Sequence, residues 1–103
     1  MVAISEYHIA PSVLEDIVTW SLNGKKGMKI HSPLPLTRPN PIDITLSGES
    51  CAVTLHLDAQ MGKFLPGLAT EARTTVATAL RDMAGLHVTS VDVIFASVFS
   101  TES

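Results

Sequence analysis

The segment CAVTLHLD, residues 51–58, sets a thiol, an imidazole and a carboxylate within eight residues. Those are the working parts of a nucleophile, its base and the group that orients the base. A strand, however, sends alternate side chains to opposite faces. Cys51, Val53, Leu55 and Leu57 then share one face, and Ala52, Thr54, His56 and Asp58 the other. Cys51 and His56 point apart and cannot pair from this strand, so Cys51 reads as a small buried apolar residue. Thr54, His56 and Asp58 do sit together, but two metal ligands fall short of the three or four a stable site needs. His8, His31 and His87 are scattered, none at a helical i, i+4 spacing from another ligand. The sequence contains no Walker loop, no G-x-G-x-x-G and no G-x-S-x-G. The expectation is a protein that is not an enzyme, with no catalytic residues, metal or cofactor.

The second candidate is GKKG, residues 24–27, which follows an apolar, helix-like segment. KH domains clamp a sugar–phosphate backbone with such a G-x-x-G loop, set between two helices. Here only Met28 to Ser32 separates Gly27 from Pro33, with Pro35 beyond. That leaves no room for the second helix, because the residue before a proline avoids helical angles. Lys25, Lys26 and Lys29, with Arg38, form a small basic patch. Its plainer reading is a solvated turn whose lysines offset a helix dipole. As a functional reading, Lys25, Lys26 and Lys29 are the candidate partner-binding residues, for an acidic protein or membrane surface. A small single-stranded nucleic-acid-binding module using residues 24–27 is the alternative function.

Composition bears on that choice. The chain has 103 residues, 46% of them hydrophobic and only 17% charged, and its mean hydropathy is positive. One domain, 1–103, is expected, with more apolar surface than so small a fold hides, which points to self-association or a stable partner. The net charge is −3, with ten acidic and seven basic side chains. Proteins that live on phosphate contacts usually carry a basic surplus, so nucleic acid is the disfavoured partner. The first 25 residues include Glu6, Glu15 and Asp16, and no segment approaches the roughly 20 apolar residues of a membrane span. A lone cysteine fits a reducing compartment. The expected location is cytoplasmic, with no direct membrane insertion and any membrane contact made through a partner.

The elements that position these residues are legible from periodicity. Residues 3–9 predict a short strand, and 11–22 a helix with either Pro11 in its first turn or Ser12 as its cap. Val13, Ile17 and Trp20 form its expected core stripe with Leu14 beside them, while Leu22 points away. Gly24 supplies a left-handed end. Met28 and Ile30 alternate with Lys29 and His31 as a strand. The proline-rich stretch 32–41 predicts an extended surface loop. IDITLS and CAVTLHLDA alternate around SGES as an antiparallel hairpin. A helix over 66–84 buries Leu68, Ala69, Ala72, Val76, Ala79, Leu80 and Met83, and Gly85 closes it. A strand over 87–98 completes a βαβ unit whose crossover is expected to be right-handed. The fold predicted is α+β: a two-layer sandwich with two helices on a mixed, mostly antiparallel sheet of four or five strands. In the last strand Val91, Val93 and Phe95 take one face, and Ile94, Ala96 and Val98 make the other apolar too. A half-buried strand should alternate polar and apolar, so Ile94, Ala96 and Val98 are the candidate oligomer interface.

The order of these elements carries a resemblance. IAPSVLEDIVTWSLNGKKGM, then CAVTLHLDAQMGKFLPGLATEARTTVATALRDMAGLHVTSVDVIFASV, resembles the alkaline shock protein family of bacteria over roughly residues 4–98. The C-terminal half is the specific part: the strand, the MGKFLPGLA link, MAGL at the helix end, and Val91 and Val93 in a V-x-V strand. Lys26 stands where the family usually has an apolar residue. The resemblance implies a non-enzymatic, self-associating scaffold in the bacterial envelope (alkaline) stress response. Its implied partners are further copies of itself and a small membrane-anchored protein.

Overall fold

The computed structural model describes residues 8–32 and 40–100. Residues 3–7 of the strand expected at 3–9 and the middle of the proline-rich loop, Arg38 included, lie outside the described residues, and His8 and Ile9 are not in a strand. The rest forms the predicted α+β sandwich: α1 (Pro11–Leu22), β1 (Met28–Ile30), β2 (Ile42–Ser47), β3 (Ser50–Gln60), α2 (Leu65–Ala84) and β4 (His87–Phe99). β3 is the central strand. β1 and β2 lie end to end along one of its edges, both antiparallel to it. β4 runs parallel on the other edge, so β3, α2 and β4 make the βαβ unit.

Both helices pack on one face of the sheet. The core joins Leu14, Ile17, Val18 and Leu22 of α1 to Leu68, Ala72, Val76 and Leu80 of α2 over Cys51, Val53, Leu55, Leu57 and Ala59. The strand parity read for β3 therefore holds, and burial among these residues pushes the Cys51 thiol pKa up. Pro11 occupies the first turn of α1, and Ser12 makes no cap.

The stripe on α1 differs from expectation. Leu22 is only 3% exposed, whereas Trp20 is 65% exposed and Val13 is also open to solvent. The helix is rolled so that positions 14, 18 and 22, one turn apart, form the seam with 17. Leu22 joins the core cluster with Leu14, Ile17 and Val18. On α2, Met83 likewise faces solvent rather than the core, and Ala84 is buried in its stead.

Two register shifts interrupt the β3–β4 pairing, between Cys51 and Ala52 and between Leu57 and Asp58. The second corrects the strand's expected faces. Phe95 is coupled to Leu57, but Ser97 to Asp58 and Val98 to Ala59, which leaves Ala96 as the extra residue. A bulge of one residue turns every later side chain to the other face. Ile94 stays on the face away from the helices, opposite His56, while Val98 joins the helix side. Ile94, Ala96 and Val98 therefore share no single face, although all three remain exposed.

Candidate functional site

The sheet face away from the helices carries the chain's polar cluster. β1 contributes Lys29, the residues after it His31, β3 His56 and Asp58, and β4 Ser97; the cross-strand register brings them to one face. No described element covers this face. Asp58 is nonetheless only 8% exposed, walled in by its neighbours. The Ser97 hydroxyl donates to Asp58 Oδ1 at 2.6 Å, and His31 Nδ1 lies 2.7 Å from the same oxygen. A carboxylate only accepts, so Nδ1 of His31 carries the proton. Burial pushes the Asp58 pKa up, but the hydrogen bonds from Ser97 and His31 and the positive charge of His31 and Lys29 outweigh it; the net direction is down.

This is a carboxylate held by donors from two other chain segments, one in β4 and one just after β1. It is not a nucleophile–base–orienter chain, because serine and histidine both point at the acid instead of at each other. Among the described residues no group of three or more His, Cys, Asp and Glu side chains is placed to hold a metal. His56 stands beside Asp58 as parity requires, and its Nδ1 is buried without a hydrogen-bond partner. The His56 backbone bridges the two ends of the proline-rich loop: its carbonyl accepts from His31 N–H at 2.9 Å, and its N–H donates to Pro41 O at 2.8 Å. His31 and Ser97 were not coupled to Asp58 by sequence reasoning. The alternation Met28–Lys29–Ile30–His31 already put His31 on the polar side, but only the register could choose its partner.

The GKKG loop ends one element and starts another. Gly24 and Gly27 both have positive φ, +87° and +90°, the left-handed region open to glycine at little cost. β1 begins at Met28, so no helix follows Gly27. The three lysines diverge. Lys25 reaches the helix layer, 3.6 Å from Glu71. Lys29 lies on the opposite side of the sheet, its Nζ 4.6 Å from the centre of the Phe99 ring. Lys26 is exposed on the turn between them.

A shallow groove of about 670 Å³ runs between the helices, lined among others by Trp20, Thr74, Thr78 and Met83. Among the described residues no helix is long and apolar enough to cross a membrane. Comparison with family models, curated proteins and solved structures finds no match to this chain.

Proposed function

We propose that the chain is a non-enzymatic scaffold of the alkaline-shock type, acting by self-association and by protein contacts near the bacterial envelope. The observation that supports this reading most is the outer edge of β4. Thirteen residues long, it pairs only with β3 among the described residues. A long open edge presents a row of backbone donors and acceptors to another strand. Between the two register shifts, residues 90–95 run without interruption and carry the exposed Ile94 on the face away from the helices. The envelope role rests on the resemblance, and the Asp58 cluster fits a scaffold as a structural tie between strands.

Sedimentation velocity over a range of concentrations tests the proposal. The wild type should form a concentration-dependent oligomer, and Ile94→Asp should weaken it at least tenfold, since it sets charge on the edge strand. A wild-type monomer at every concentration would end the self-association reading. A small membrane-anchored protein that co-purifies from detergent-treated lysate would support the envelope arm, and its absence would count against it.

A further inference from the structure

One end of the molecule combines charge and apolar exposure in a way neither the core nor the β4 edge requires. The turn between β3 and α2, residues 61–64, lies there. Met61 N–H donates to Phe99 O at 2.8 Å, and Gln60 N–H to Gly27 O at 2.8 Å. This turn, the end of β4 and the GKKG loop are therefore joined. Phe64 is 74% exposed and Met61 65%, with Leu65 and Val98 also open to solvent. None of them lines the groove between the helices; they stand out from a turn.

All four lysines of the chain, Lys25, Lys26, Lys29 and Lys63, belong to this end. The Lys63 side chain runs over Gly27, where its Cε would sit 3.4 Å from an added Cβ. Here α2 begins with no side-chain cap and no acidic residue in its first turn, so the positive end of its dipole is uncompensated. Among the described residues the nearby acids are engaged, Glu71 with Lys25 and Asp58 with His31 and Ser97. Glu49, beside the start of β4, and Asp82, in the last turn of α2, lie at the opposite end. In a chain of net charge −3, the described residues thus make this tip positive.

We infer that this tip docks directly on an anionic lipid surface, with Met61, Phe64 and Leu65 at the headgroup–acyl boundary and Lys26, Lys29 and Lys63 among the phosphates. A bilayer presents a negative layer above an apolar one within the 5–10 Å that interfacial side chains reach. Lysine stems lie along the apolar part while their ammonium groups stay in the polar layer. An acidic protein would answer the lysines without answering a protruding phenylalanine and methionine. No segment crosses the membrane in this arrangement. It narrows the expectation that membrane contact comes only through a partner, and a single tip can dock whether or not the chain self-associates.

Flotation of the purified full-length protein with phosphatidylcholine vesicles, with and without phosphatidylglycerol, is the test. The wild type should float with the phosphatidylglycerol vesicles alone, and less so as salt rises. Lys26→Ala and Lys63→Ala should each lower partitioning about fivefold, and Phe64→Ser roughly tenfold. Circular dichroism checks that each variant is folded; the lysine variants, at exposed sites, carry the test if Phe64→Ser does not fold. No flotation of the wild type at low salt overturns the inference. So does flotation indifferent to the lysine changes, which would put the contact on another face. If instead the wild type does not float and Phe64→Ser weakens self-association in vesicle-free solution, the tip is an interface between copies.

Discussion

At the scale of single residues, Asp58 carries the clearest physical consequence. Its folded pKa is depressed, whereas in the unfolded chain it returns to the ordinary value of about 4. Between those two values the unfolded state binds the proton and the folded state does not, so stability rises with pH there. The contribution is complete above the ordinary carboxylate range and is lost as pH falls through the depressed value. Asp58→Asn should therefore lower the unfolding free energy measured in urea near neutral pH by about 2 kcal/mol, as for a buried carboxylate with two donors. The gap between wild type and variant should close on acidification below about pH 4. A gap that stays constant with pH would mean that the Ser97 and His31 contacts do not depend on the charge. Asp58 was legible as one member of a polar face, since strand parity needs only the sequence. Its donors were not, because they come from β1's end and from β4, and cross-strand register is set by the whole sheet.

At the scale of elements, α1 shows where periodicity stops being informative. It has apolar residues at positions 13, 14, 17, 18, 20 and 22, and two overlapping stripes satisfy a 3.6-residue repeat equally well. Packing against α2 and the sheet decides between them in favour of Leu14, Ile17, Val18 and Leu22. The choice has a measurable cost attached. Leu22→Ala should destabilise by about 3 kcal/mol, as truncating a buried leucine does, while Trp20→Ala should cost less than about 1 kcal/mol, as at other exposed sites. The reverse order in thermal or urea unfolding would restore the stripe expected from sequence. β4 fails to be legible for a different reason. Its alternation of apolar residues continues unbroken through Ala96, so the sequence looks regular where the backbone is not. A bulge is a response to the neighbouring strand and to sheet twist, and neither is written in a single strand's pattern. The hairpin of β2 and β3 and the span of α2 were read nearly to the residue, because Gly48, Pro66 and Gly85 mark their ends locally.

At the scale of the whole molecule, the two proposed contacts occupy different places and are linked through avidity. Ile94 lies on the sheet face away from the helices, opposite His56, while Phe64 precedes α2 at the tip. The two positions belong to separate elements, and substitutions at them should act on folding stability independently. Binding is another matter. An oligomer that presents several tips to one vesicle converts later contacts into intramolecular ones and gains avidity of up to about 10²–10⁴ without any new contact. Ile94→Asp should therefore weaken self-association and, through lost avidity, reduce vesicle flotation as well. Phe64→Ser should reduce flotation while leaving the sedimentation profile in vesicle-free solution unchanged. The crossed outcome, in which flotation survives Ile94→Asp intact, would mean either that single tips bind strongly enough alone or that the oligomer's symmetry points its tips apart. Titrating vesicle concentration separates the two. A monomeric tip gives a simple hyperbola with unchanged affinity for both proteins, whereas tips held apart show wild-type binding no tighter than the variant's yet an oligomer still bound to the vesicle, able to bridge vesicles and raise turbidity. Only an oligomer with its tips on a common face lets assembly and docking reinforce each other.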